Sequence, residues 1–141
     1  VTRGTTTPIY PVICYPHTAI GGDAIAGGLA YRGTRIPALK DRLLFGDITT
    51  GHVWYADMKD VLAADDGKAE TLAPMHEIDA GLRAMVEATF RDRGGRGETL
   101  PGAAAVAGRG RVDLRFATDS SGEIYVITKT DGMIRRIVTM K

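Results

Sequence analysis

Short runs of aromatic and β-branched residues, each closed off by Gly, Asp or Pro, set the strongest limit on this chain: it must be built from brief, separate strands. The clearest lie near the C-terminal end. Glu123-Ile124-Tyr125-Val126-Ile127-Thr128-Lys129-Thr130 leads through Asp131-Gly132 into Met133-Ile134-Arg135-Arg136-Ile137-Val138. Asp-Gly between two such runs predicts a two-residue type I′ turn, because both central positions need positive φ. Ahead of the hairpin, Val112-Asp113-Leu114-Arg115-Phe116-Ala117 alternates apolar and charged residues, as a half-buried strand does. Asp119-Ser120-Ser121-Gly122 links the two into a three-strand meander.

The first half repeats the pattern. Strands are expected over residues 24–31, with Gly27-Gly28 in the middle, then 43–47 and 52–57, joined by Ile48-Thr49-Thr50-Gly51. A weaker fourth, 71–78, follows the Asp65-Asp66-Gly67-Lys68 turn. Residues 11–16 form another candidate, limited to an edge or a brief pairing by the Pro at each end. One segment differs. Leu82, Met85, Val86, Thr89 and Phe90 recur at helical spacing, with Asp79 placed to cap the start and Gly94-Gly95 to stop the end. Residues 94–110 are rich in Gly, Ala and Arg and read as a mobile loop.

The 141 residues suffice for one domain, and 44% hydrophobic content is enough for a core, which excludes a disordered tail or a collagen-like repeat. No apolar run approaches the ~20 residues of a membrane-spanning helix. A net charge of +1 argues against a dedicated nucleic-acid surface. The single Cys14 excludes an intramolecular disulfide and any multi-cysteine metal site. The chain opens Val1-Thr2-Arg3-Gly4 with neither an initiator Met nor a signal peptide, so it is expected to begin inside a longer precursor.

Four-stranded units joined by short turns suit an all-β fold. They fit a β-propeller fragment of about two four-stranded antiparallel blades with one helical insertion: residues 24–78 as one blade, 79–110 as helix and loop, and 111–141 with 11–16 as the second. Two blades cannot close a ring of ~4–8. The chain would then need the remainder of the propeller or a partner subunit, and is expected to be an oligomer or part of a complex. A self-contained β-sandwich with a helical insertion fits the same spacing, and composition and periodicity favour neither.

A resemblance adds to this reading. Ile13-Cys14-Tyr15-Pro16, Ala24-Ile25-Ala26-Gly27-Gly28-Leu29-Ala30-Tyr31-Arg32-Gly33, Leu39, Leu43-Leu44-Phe45-Gly46-Asp47 and Gly51-His52-Val53-Trp54 follow in order. With Arg111-Val112-Asp113-Leu114-Arg115-Phe116, Asp119, Gly122-Glu123-Ile124-Tyr125-Val126-Ile127-Thr128 and Gly132-Met133-Ile134-Arg135-Arg136-Ile137, they resemble the C-terminal part of the glucose/sorbosone dehydrogenase family. Its members are soluble sugar dehydrogenases dependent on pyrroloquinoline quinone (PQQ) and folded as six-bladed β-propellers. The resemblance implies a periplasmic or secreted oxidoreductase acting on a small-molecule sugar, with PQQ at the channel mouth and calcium in the complete protein. It implies cationic side chains for the quinone carboxylates. The blade supplying the general base and the main calcium ligands has no counterpart here, so no catalytic or metal-binding residue is expected in this chain.

Three positions are implied for the cofactor and one for the sugar. Arg109 and Arg111 resemble the arginine pair ahead of the family's final blade, and Arg115 sits on a strand expected to line the channel. Where the family often places a lysine after the second strand of the penultimate blade, Thr49 or Thr50 stands. His17 lies in a loop expected near the channel mouth and is the candidate substrate contact. His52 and His76 read as turn and surface residues, and no metal-ligand or Ser-His-Asp spacing exists. Asp65-Asp66-Gly67 and Asp119-Ser120-Ser121-Gly122-Glu123 read as turn chemistry rather than calcium loops. Without the missing parts, a non-catalytic, propeller-derived interaction module is the alternative.

Overall fold

The computed structural model describes residues 4–18, 21–78, 80–103, 108 and 110–140. It is mostly β: two antiparallel sheets and two α-helices. The first sheet is a four-stranded meander of β1 (Ile25–Ala30), β2 (Arg42–Asp47), β3 (Val53–Asp57) and β4 (His76–Glu77). The second contains β5 (Leu114–Thr118), β6 (Ile124–Thr128) and β7 (Met133–Arg136). Helix α1 (Met58–Ala64) follows β3, and α2 (Leu82–Asp92) lies between the sheets in the chain.

Period-2 patterning explains how the first sheet is covered. Leu44 and Val53 turn toward buried clusters shared with Leu114, Ile124 and Val126 of the second sheet. Phe45, Trp54 and Ala56 turn the other way, where Ile13, Tyr15 and Val61 cover them. β1 pairs with β2 out of simple register between Ala26 and Leu29, which makes Gly27-Gly28 a bulge. Leu82 and Val86 bury the inner face of α2 against both sheets, leaving Met85 at the surface. The Gly94-Gly95 stop is a Schellman motif: the Gly95 N–H reaches the Phe90 carbonyl at 2.8 Å, the Gly94 N–H reaches that of Arg91 at 2.9 Å, and Gly94 sits at φ +84°. Asp79 lies outside the described residues; Gly81 occupies the N-cap.

Four expectations need correction. Residues 11–16 form no strand and do not extend the second sheet, which has three strands among the described residues. Their prolines withhold backbone donors, and the Tyr15 ring packs tilted against Trp54, centroids 4.9 Å apart, while the Val12 carbonyl accepts the Ala73 N–H. The weak strand over 71–78 shrinks to β4, and residues 58–64 are helical. The β6–β7 turn spans residues 129–132, closed by the Gly132 N–H on the Lys129 carbonyl at 3.2 Å. Only Gly132 has positive φ in it, because Asp131 instead folds its carboxylate back to Thr128 and Arg135. Part of the 94–110 segment is anchored: Leu100 is buried in the core and the Pro101 carbonyl accepts the Arg111 N–H.

Candidate functional site at the β2–β3 turn

The turn after β2 is organised by one buried carboxylate. Asp47 Oδ1 accepts the Thr49 and Thr50 N–H groups at 2.9 and 2.7 Å and the Thr50 hydroxyl at 2.9 Å. Oδ2 accepts the Asp23 and Ala24 N–H groups at 2.8 and 2.7 Å and the Tyr15 hydroxyl at 3.1 Å. The Thr49 hydroxyl stands 2.8 Å from both the Asp47 and Asp23 carboxylates and can donate to only one at a time. Asp-x-Thr-Thr-Gly is a side-chain-to-backbone turn in which the aspartate replaces the missing backbone partner. Gly22 permits the approach: at φ +147° it brings the 22–24 backbone so close that a Cβ would lie 2.4 Å from Asp47 Oδ2.

The same turn carries the segment leading into β5. Val112 donates to the Thr49 carbonyl at 2.9 Å and Leu114 to that of Ile48 at 3.1 Å. Arg83, from the first turn of α2, donates to the carbonyls of Thr49 and Gly110, each at 3.3 Å. Arg111 therefore arrives beside Thr49. Its guanidinium is held by Asp113 Oδ1 through Nε at 2.9 Å and Nη2 at 2.8 Å. His17 stands at the margin, exposed, with Nε2 3.9 Å from Asp23 Oδ1. Arg115 does not join them: it is exposed on β5 and donates to the Leu114 carbonyl at 2.6 Å. Arg109 lies outside the described residues. Asp66 and Asp119 serve their own turns, accepting the Lys68 N–H and the Ser121 and Glu123 N–H groups respectively.

A polar hollow of about 350 Å³ opens beside the turn, lined by Thr50, His52, Glu77, Arg83 and Glu87 among others. His52 pairs with Glu77 across it and lies over the Trp54 ring, and Arg83 donates to Glu87 at 3.0 Å. Arg83 and Glu87 thus neutralise one another, and Glu77 is taken up by His52. Among the described residues no three His, Cys, Asp or Glu side chains gather to hold a metal ion.

PQQ is a polyanion, and a site for it calls for cationic side chains. Arg111 and Arg83 face Asp113 and Glu87, and the threonines at the family's lysine position are turned onto Asp47. Both arginines at this turn are therefore already paired with carboxylates. Compared with family models, curated proteins and solved structures, the chain finds no match.

Sequence reasoning passed over a second buried carboxylate. Glu123 accepts the Tyr31 hydroxyl at 2.8 Å on Oε2 and the Thr34 and Arg35 N–H groups at 3.0 and 3.1 Å on Oε1. It ties the segment after β1 to the second sheet. The signal was its place beside Gly122 at the mouth of a strand, where a carboxylate has no reason to be buried unless something donates to it.

Burial is the largest influence on Asp47, Glu123 and Asp131 and pushes all three upward, yet each stays below its ordinary value. For Asp47 the Thr50 and Ala24 amides and the threonine hydroxyls outweigh burial. For Glu123 the Tyr31 hydroxyl and the Arg35 and Thr34 amides do so; for Asp131, Arg135 and Thr128. Depressed folded values bind fewer protons than the unfolded chain, so their stabilisation is complete above the ordinary carboxylate range of ~4 and is lost as pH falls through the folded values. Denaturation midpoints followed by circular dichroism should be level near neutrality and drop steeply on acidification below about pH 4. A midpoint that rises on acidification contradicts this.

Proposed function

We propose that this chain forms the closing part of a quinoprotein sugar dehydrogenase of the glucose/sorbosone type, its two sheets serving as ring wall. The chemistry belongs to other blades; this chain contributes wall and one cationic rim position, Arg111. The supporting observation is a meeting of two segments far apart in sequence. The turn after the second strand of one sheet, and the segment just ahead of the next sheet, are the two places the family resemblance marks as cofactor-facing. Here they are hydrogen-bonded, Val112 N–H to Thr49 O at 2.9 Å, with Arg111 alongside. The two antiparallel meanders sharing one core are compatible with successive blades.

The test uses the protein encoded by the complete reading frame that contains this chain, supplied with PQQ and calcium. Dye reduction with an aldose is expected, and Arg111→Ala should weaken apparent PQQ affinity roughly tenfold, the worth of one charge-assisted contact. The 141-residue chain alone should reduce no dye. Failure to oxidise any of a broad aldose panel overturns the reading. The second reading, a non-catalytic interaction module, draws on the neutralised state of Arg83 and Arg111. Micromolar PQQ binding by the isolated chain, lost in Arg111→Ala, counts against it.

A further inference from the structure

Leu114, Ile124 and Val126 turn inward to the clusters shared with the first sheet. Strand register then puts Arg115, Ile127 and Ile134 in one row of the opposite face of the second sheet, and Ala117, Tyr125 and Arg136 in the next. A solvated sheet face is ordinarily polar; this one is apolar through its middle, and Ile134 is 66% exposed. Both arginines are exposed at diagonal corners. Arg136 has no hydrogen bond or ion pair among the described residues, and Arg115 has only the Leu114 carbonyl. At the margins, Asp113 is paired with Arg111, and Asp119 accepts its turn amides and the Tyr125 hydroxyl.

The opposite end of the layers carries the complement. α1 lies on the side of the first sheet that faces away from the second, with Val61 packed on the Phe45, Trp54 and Ala56 cluster. Leu62 stands outward, 69% exposed, and the turn that follows exposes Asp65 and Glu70. Neither carboxylate has a hydrogen bond or ion pair among the described residues. Of the two lysines here, Lys68 is paired with Asp66 at 3.3 Å, which leaves Lys59 against Asp60, Asp65 and Glu70.

We infer that the outer face of the second sheet docks on the Leu62, Asp65 and Glu70 surface of a second copy of this chain, isoleucines against the leucine and arginines against the carboxylates. Charge selects this pairing. The face placed on itself by a two-fold axis would gather four guanidinium groups with no counter-charge, whereas head-to-tail contact sets opposite signs together. Such a contact is heterologous, so copies add until a ring closes or continue as an open row. Six side chains make a small face beside the ~800 Å² that each partner of a stable pair covers, so the association is weak and depends on the charges. The inference stands apart from the quinoprotein reading, since it uses no residue of the β2–β3 turn and its test needs neither quinone nor sugar.

Sedimentation velocity of the 141-residue chain, from micromolar to millimolar concentration, tests it. In low salt the weight-average sedimentation coefficient should rise with concentration, and about 1 M salt, which shortens screening to about 3 Å, should suppress the rise. Arg115→Glu with Arg136→Glu should weaken self-association roughly tenfold or more, and so should Asp65→Lys with Glu70→Lys. Mixed one to one, the two double variants should associate again, because each keeps the surface the other has lost. All four positions are exposed, so circular dichroism of the variants should match the parent. A monomer throughout the range overturns the inference. So does self-association indifferent to either pair of substitutions, which assigns it to another surface or to a two-fold pairing. A mixture that stays as dissociated as its components overturns it as well.

Discussion

Replacing Asp47 by alanine should destabilise the chain by about 4 kcal/mol or more, enough to threaten folding altogether. The carboxylate accepts from four backbone amides, three hydroxyls stand around it, and the site is closed to solvent. Truncation leaves those donors facing a cavity too crowded with unmet polar groups to stay dry. Asp47→Asn is a graded control, since it keeps the volume but turns an N–H₂ group toward donors on one side. Urea denaturation at neutral pH should rank the parent above Asn and Asn above Ala. A loss below about 1 kcal/mol for alanine, the worth of a single ordinary hydrogen bond, contradicts the assigned role.

Glu123→Ala should act at longer range. The segment after β1 is held to the second sheet by Tyr31, Thr34 and Arg35 on this one side chain, and the Tyr31 hydroxyl in turn accepts the Ile36 N–H at 3.0 Å. Hydrogen-exchange protection of the Thr34 and Arg35 amides should fall roughly a hundredfold, while amides at the β2–β3 turn change much less. Tyr31→Phe should reproduce part of the effect. The double variant should fall short of the sum, because both substitutions remove the same contact. Unchanged protection at Thr34 and Arg35 rules out Glu123 as the tie between the sheets.

Strands and the long helix were legible because their signal is local. Alternation marks β5 and β6, the 3.6-residue stripe from Leu82 to Phe90 marks α2, and Gly94-Gly95 marks its end within the sequence itself. Met58–Ala64 was harder, since a short helix directly after a β-branched strand carries too few turns for periodicity to show. Residues 11–16 read as a strand because Val, Ile and Tyr favour one; what decides their fate is the vacant face of Trp54, which no local rule contains. The candidate site divides the same way. Asp-x-Thr-Thr-Gly announces a turn, but the convergence of Arg111 and Arg83 on that turn depends on tertiary packing between segments more than thirty residues apart in both cases. His17 and Arg115, singled out by the family resemblance, make contacts of their own: His17 stands beside Asp23 and Arg115 donates to the Leu114 carbonyl.

The bulge at Gly27-Gly28 bears on how such a molecule keeps company with its own kind. A regular outer strand is a template on which a stray chain can zip, and fibrils grow from such templates. Here β1 is kinked, β4 is only two residues long, and β7 ends in adjacent arginines. These three borders are thus each spoiled in their own manner for lateral addition, and durable assembly along them has to be made through side-chain surfaces, where shape and charge can discriminate a proper neighbour from an accidental one.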